Sequence, residues 1–171
     1  LITFGGLGFL VIMDIVTKRS FKKLTLHSKA VITTSAILLI GGTVLIRATE
    51  NITWLGAFFT SVSARTAGFS TFNLGGFTSA GLLTVAVLMF IGASPGSTGG
   101  GIKTSTVFTL FHTIRGAATN QGPQAFHYRI PQEAFFKAAS VSALSALVVC
   151  LGTFFMCILE PGLGFEDILF E

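Results

Sequence analysis

Charge is what this sequence lacks. Its 171 residues include 11 Lys and Arg and 7 Asp and Glu, 11% charged, where a soluble domain carries roughly 25%. That scarcity, beside 51% apolar residues, excludes an ordinary water-soluble globule and also excludes disorder. Cysteine is equally scarce. Cys150 and Cys157 stand seven apart in an apolar run, about 10 Å along a helix, too far to bridge each other, so a disulfide scaffold is excluded and both read as packing residues. A basic stripe interleaved with aromatic platforms is missing despite the net charge of +4, which argues against nucleic acid as a partner. No basic segment followed by a short apolar core and a small-residue cleavage site opens the sequence, which argues against a signal peptide. The chain begins at Leu1 and ends on Phe170-Glu171, and the expectation is a piece of a longer protein. What it has in plenty is 18 Phe, 20 Gly and a mean hydropathy of +0.79, the bulk and backbone permissiveness of a membrane protein whose helices pack closely or break.

Residues 30–46 are free of charge, and a helix over 30–47 is about long enough to cross a hydrocarbon core of roughly 30 Å. Residues 134–159 form a second span, with Lys137 near its start, where a long side chain can snorkel to the interface. Between them, residues 79–93 are strongly apolar but give only about 22 Å of helix. The run Ser94-Pro95-Gly96-Ser97-Thr98-Gly99-Gly100-Gly101 follows at once and cannot continue a helix cheaply. A helical pattern then resumes at residues 102–114, so 79–116 reads as one transmembrane helix broken by a glycine-rich loop. Residues 1–16 read as the end of an earlier span.

Orientation follows from the basic residues. Lys18, Arg19, Lys22, Lys23 and Lys29 crowd residues 17–29 without an acid, which puts that loop in the cytoplasm. By alternation residues 115–137 are also cytoplasmic, with 117–133 as a loop between helices. Residues 160–171, whose charges are all acidic, are outside. The alternation closes only if residues 54–78 enter and leave on the outer face. Residues 54–64 make a helix of about 16 Å, half a bilayer, which predicts a re-entrant pore helix. The order of span, short outer loop and Phe-rich segment returns at 165–170, and Phe4-Gly5-Gly6-Leu7-Gly8-Phe9 is echoed by Ile91-Gly92-Ala93-Ser94-Pro95-Gly96. The predicted fold is therefore an all-α polytopic membrane protein of repeated units, each a span, a re-entrant pore helix, a filter strand and a second span. The end of one unit occupies 1–16, a complete unit 30–116, and the start of a third 134–171.

Irregular backbone at membrane depth survives where it is buried in protein or lines water, and residues 63–70 are such backbone, with 65–70 as the filter segment. Thr66-Ala67-Gly68-Phe69 has the Thr-small-Gly-aromatic order of a potassium-channel filter strand, whose carbonyls replace an ion's hydration shell. Glycine suits it because glycine readily takes the positive φ that turns successive carbonyls toward one axis. An ordinary turn after a helix is the competing reading, and the position after a half-length helix favours the filter.

That motif, taken with Phe90-Ile91-Gly92-Ala93-Ser94-Pro95-Gly96-Ser97-Thr98-Gly99-Gly100-Gly101-Ile102-Lys103-Thr104, resembles the Trk/Ktr/HKT superfamily of potassium transporters over essentially the whole chain. The second stretch is most similar to the bacterial Ktr-type membrane subunit. The resemblance implies four pore repeats around one pore, of which this chain holds the end of the second, the third, and the start of the fourth. It implies potassium uptake across a bacterial inner membrane, with Thr66, Ala67, Gly68 and Phe69 as filter oxygens and Ser94 to Gly101 as an intramembrane gate below them. It also implies a homodimer embedded in lipid and seated on a cytoplasmic nucleotide-binding regulatory ring. The transported cofactor-like ion is K+, with Na+ as an activating or coupled ion, and no organic cofactor is called for.

Two other chemistries compete. A sodium-coupled secondary transporter would also bind substrate at a broken helix. Gly92-Ala93-Ser94-Pro95-Gly96 fits G-x-S-x-G, with His112 or His127 as base, but a nucleophile elbow needs a strand before it and none is patterned here. Residues 96–104 miss the phosphate-loop spacing by one residue, Ile102. No covalent chemistry is expected. Lys103 would hold the loop, face an aqueous vestibule or snorkel to the cytoplasm. Arg65 would brace the pore helix or lie at the outer surface, Asp14 would end a helix at the interface, and both histidines would be solvated. Residues 116–129, rich in Gly, Gln and Asn, would dock a regulatory partner.

Overall fold

The computed structural model describes residues 2–72, 74–97, 99–119, 122, 124–126, 128–160, 162 and 164–170. Two short helices, α1 (Ile2–Leu7) and α2 (Phe9–Lys18), meet at Gly8, whose φ of 80° and ψ of 148° no helix accommodates. A 3-10 turn (Phe21–Lys23) leads to α3 (Leu26–Thr49), followed by α4 (Trp54–Thr66), a second 3-10 turn (Leu74–Gly76) and α5 (Ser79–Phe90). Residues 91–97 and 99–103 are not helical. After them come α6 (Thr104–Ala118), a hairpin of β1 (Gln124–Ala125) and β2 (Tyr128–Arg129), α7 (Gln132–Leu159) and α8 (Phe165–Phe170). The hairpin pairs Gln124 with Arg129 and Ala125 with Tyr128, antiparallel.

Three helices start in the same way. Thr25, Thr53 and Thr78 sit in extended backbone, and each side-chain oxygen accepts the N–H three residues on, from Ser28, Gly56 and Gly81. Each such cap satisfies an otherwise orphaned donor and stabilises its helix by about 1 kcal/mol. The cap at Thr25 explains why α3 begins at Leu26, ahead of the expected residue 30. Residues 17–29, expected to be a loop, are mostly ordered: Thr17 and Lys18 finish α2, and Ser28 and Lys29 are buried on α3. Lys29 is held by the bond from its Nζ to the Lys22 carbonyl, at 3.0 Å.

Four further boundaries depart from expectation. Helix α4 runs through Arg65 and Thr66, α5 stops at Phe90, α6 continues to Ala118, and α7 begins at Gln132. The connection expected at 117–133 contains the β-hairpin, so the chain is mostly rather than purely helical. Its turn is closed by Phe126 in left-handed backbone (φ 49°) and packs down on α6, where the Phe126 and Phe108 rings stack 6.0 Å apart.

Helix α3 is the centre of the packing, with α4, α5 and α6 against it. Ile46, Ala57, Val85 and Leu88 form one buried cluster, and Ala30, Phe108, Ala125 and Ile130 another. Gly42 permits the close approach: a Cβ there would lie 2.6 Å from Ser61 Oγ and 2.7 Å from Leu88 Cδ1. Helices α3 and α7 are each long and apolar enough to cross a membrane. They are used differently, since 44% of the most apolar window of α3 is buried and none of that of α7.

Candidate functional site

Two irregular stretches carry the residues that sequence pattern singles out, and both follow a short apolar helix. The first lies beyond α4. The Ser63 carbonyl accepts from the N–H groups of both Ala67 (2.9 Å) and Gly68 (3.0 Å), and Gly68 turns the chain out of the helix with φ 68°. Nothing lies within 4 Å of where its Cβ would be, so glycine is required here by backbone conformation and not by crowding. The Ser63 hydroxyl donates to the Phe69 carbonyl and the Ser70 hydroxyl to that of Phe72. Gly68, Phe69 and Ser70 are exposed on this chain. Of the four residues expected in one extended strand, Thr66 is therefore the last of α4 and Ala67 is its cap in helical backbone. The chain leaves the helix only at Gly68 and Phe69, because the doubly used Ser63 carbonyl prolongs the helical turn.

Arg65, on the last turn of α4, is 7% exposed. Its guanidinium donates to the Ser35 carbonyl (3.2 Å) and to Ser35 Oγ (3.4 Å), so it braces α4 against α3 instead of reaching an outer surface. The far end of the same stretch is held by Glu50, a buried carboxylate at the end of α3. Its Oε1 accepts both the N–H (2.8 Å) and the Oγ–H (2.7 Å) of Thr78, the cap of α5. Gly81 makes room for it: a Cβ there would lie 2.0 Å from Glu50 Oε1. Asp14 repeats the device one element earlier, accepting from the Thr25 N–H (2.9 Å) and Oγ–H (2.8 Å) while pairing with Lys18 at 2.8 Å. It thus clamps α2 to the cap of α3, which its expected role as a helix end leaves out.

The second stretch is residues 91–103. Its base is a neck of closely apposed backbone: the Ile102 N–H donates to the Phe90 carbonyl at 2.9 Å, and a Cβ on Gly92 would fall 1.7 Å from the Gly100 carbonyl oxygen. Gly101 has φ 72° and lies against Phe90. Above the neck, Ala93, Ser94 and Thr104 are fully buried. The Thr104 N–H donates to the Ala93 carbonyl (3.4 Å) and the Thr104 hydroxyl to Ser94 Oγ (3.5 Å). At the tip the Ser97 N–H and hydroxyl both donate to the Ser94 carbonyl (3.2 and 2.6 Å). Pro95 and Gly96 form the turn, and Gly96 has φ 76°. Lys103 Nζ donates to the Gly99 carbonyl at 2.6 Å, which spends its charge on holding the loop. Thr98 lies outside the described residues.

Serine-nucleophile chemistry finds little support in this geometry. Ser94 Oγ is buried against Thr104, and His112, expected to be solvated, stacks on Phe108 at 4.0 Å with its Nδ1 3.1 Å from the Phe108 carbonyl. His127 lies outside the described residues. Sequence reasoning missed Ser35 and Glu50, and it took in Ser63 and Gly8 as parts of a stretch and a repeat without their own roles. A threonine three residues before Ser28 or Gly81 was a visible cap signal, but which carboxylate reaches that cap depends on folding.

The family model described as TrkH, cation transport protein, matches residues 8–171. The whole chain aligns with Ktr system potassium uptake protein B of Vibrio alginolyticus at 35% identity, covering 41% of that protein. It likewise aligns over its whole length with potassium/sodium uptake protein NtpJ of Enterococcus hirae, at 36% identity and 41% coverage. Ktr system potassium uptake protein B of Bacillus subtilis is 32% identical over 98% of the chain and 40% of that protein. The chain spans about two fifths of the length of these curated relatives.

Proposed function

The chain belongs to the TrkH family of cation transport proteins, and from that premise we propose that it builds part of a membrane pore for potassium uptake. In this reading residues 30–116 are one pore repeat, 1–16 end the preceding one and 134–171 begin the next. Helix α4 is the re-entrant pore helix, and the carbonyls of residues 66–69, on its last turn and just beyond it, contribute to the filter. The rest of the coordination ring comes from the other repeats. Helices α5 and α6 are the two halves of a broken transmembrane helix, and residues 94–101 obstruct or open the path between them. The chain works by backbone placement and electrostatics and carries out no covalent reaction.

The observation that carries the proposal is the pairing of a short helix, α4, followed just beyond its cap by a positive-φ glycine, Gly68, with a second short helix, α5, parted from α6 by a glycine-rich stretch. Irregular backbone of this kind is tolerated at membrane depth where it lines a polar path. The family and the names of its relatives support cation, and specifically potassium, as the cargo. NtpJ's name includes sodium, so sodium as a coupled or competing ion belongs to the same proposal. The basic 17–29 and 115–137 regions face the cytoplasm. There the hairpin seated on Phe108 offers a docking surface for a nucleotide-binding regulatory ring beneath a dimer.

The test uses the full-length protein in cells lacking other potassium uptake. Gly68→Ser should leave expression intact and lower the ratio of potassium to sodium uptake, because a Cβ disfavours the positive φ that sets the carbonyl direction. Removing residues 95–99 while leaving Gly100–Ile102 at the neck should raise potassium flux. An unchanged ion ratio in the first variant would remove Gly68 from the filter. A well-expressed but inactive deletion would favour a sodium-coupled transporter that binds its substrate at the break.

A further inference from the structure

We propose that the break between α1 and α2 is a latch for the tip of the 91–103 loop, and that Gly8 is the residue that positions it. The inference deepens the gate reading above, and rests on it for the link to flux.

Breaking a helix frees backbone groups on both sides of the break. At the first break the Gly6 carbonyl, near the end of α1, accepts the N–H of Ser94 at 3.0 Å. The Phe9 N–H, first in α2 and without a partner in its own helix, donates to the Gly96 carbonyl at 3.4 Å. The two interruptions thus exchange a donor and an acceptor each, one bond on either side of Pro95. Parting one break from the other frees two donors and two acceptors at once, and these must then find new partners in the opened path.

Gly8 makes this contact possible on two counts. Its φ of 80° suits a residue without a side chain, and a Cβ there would lie 2.6 Å from the Pro95 carbonyl oxygen and 3.3 Å from the Gly96 carbonyl carbon. Both obstacles are backbone, which cannot turn aside as a flexible side chain does. Three residues earlier, Gly5 has nothing within 4 Å of the same position. The loop itself divides into a neck sealed by Gly92, Gly100 and Gly101 and a tip at 94–97, so movement is confined to the tip and the latch governs it. Because α1 and α2 precede the basic 17–29 segment while the loop follows α5, a shift of the first break is transmitted to the second without passing through either long helix.

The experiment uses the full-length transporter with its cysteines replaced and a single Ser97→Cys reporter. The modification rate by a membrane-impermeant thiol reagent is measured beside potassium flux. Gly8→Ala should speed modification by about fivefold to tenfold, the equivalent of one lost hydrogen bond, and raise flux, while Gly5→Ala changes neither. A parental modification rate in well-expressed Gly8→Ala overturns the latch. If that variant fails to reach the membrane, a Phe9→Cys, Gly96→Cys pair decides: rapid oxidative cross-linking that lowers flux and is reversed by reductant supports the latch, and failure to cross-link overturns it. Faster modification or efficient cross-linking with unaltered flux would leave the latch standing and remove the gate function instead.

Discussion

The stretch after α4 and the stretch after α5 look alike in sequence, each a glycine-containing interruption behind a short apolar helix, yet they are built on opposite principles. From Gly68 to Thr71 the chain is exposed, and Gly68 has open space around it. Between α5 and α6 the backbone is folded on itself, and Gly92 is packed so tightly that no side chain fits. Glycine serves conformation alone at Gly68, whereas the second stretch adds the close backbone approach at Gly92 and Gly101 to the positive φ of Gly96 and Gly101. In the proposed function a filter strand presents its carbonyls outward to an ion and a gate holds a defined closed state, and the two uses of glycine suit those two tasks.

Substitutions at the two stretches sharpen that contrast. The largest effect is expected from Gly92→Ala, which sets a methyl group against the Gly100 carbonyl and forces the neck apart. A loss of about 3 kcal/mol is expected for such overpacking against backbone, seen as a lowered melting temperature and reduced yield of the solubilised full-length protein. A parental melting temperature would show that the neck yields freely and would erase the distinction.

Next comes Glu50→Ala. It removes the buried carboxylate that accepts from both the N–H and the hydroxyl of the exposed Thr78 and loosens the far end of the stretch beyond α4, at about 2 kcal/mol for hydrogen bonds to a charged acceptor. Limited proteolysis between residues 67 and 78 should accelerate while the 91–103 loop stays protected. Equal acceleration in both would mean that the stretches are coupled.

Gly68→Ala should cost about 1–2 kcal/mol through the positive φ alone, with no steric part. Gly68→Asn should therefore recover much of that loss, because asparagine tolerates left-handed backbone. Gly92→Asn should recover nothing at all. The smallest effect belongs to Lys103→Met, which removes one bond to the Gly99 carbonyl at about 1 kcal/mol. It should raise the modification rate of a Ser97→Cys reporter less than Gly8→Ala does, and leave the Gly68 region unaltered.

Much of the architecture could be read from residue order. The short apolar run before the Ser94–Gly101 cluster pointed to a helix that stops near residue 93, and α5 stops at Phe90, whereas the lysine-rich residues 17–29, expected as a loop, are entered by α2 from one side and α3 from the other. Local signals failed where a boundary rests on a shared or distant partner. The α4 terminus passed the expected residue 64 because Ser63 offers one carbonyl to two N–H groups and Arg65 is drawn into the packing by Ser35. The hairpin at 124–129 was missed because its two-residue strands are shorter than any periodicity, and the pairing rests on the seat that Phe108 provides.

Sequence by itself determined the apolar character, which runs are long enough to span and which are too short, and where Pro and Gly must interrupt them, since these are sums over neighbouring residues: hydropathy, rise per residue, and the local cost of Pro and Gly. It did not separate α3 from α7, both long and apolar, because whether an apolar surface meets protein depends on what else folds beside it. Nor did it say which glycines are packed and which are merely turned, or that Glu50 would find Thr78 and Gly6 would find Ser94. Only the tertiary structure decided those. Hydrogen-bond partners and close backbone approach join residues 28 and 88 positions apart, and no window along the chain contains both ends of such a contact.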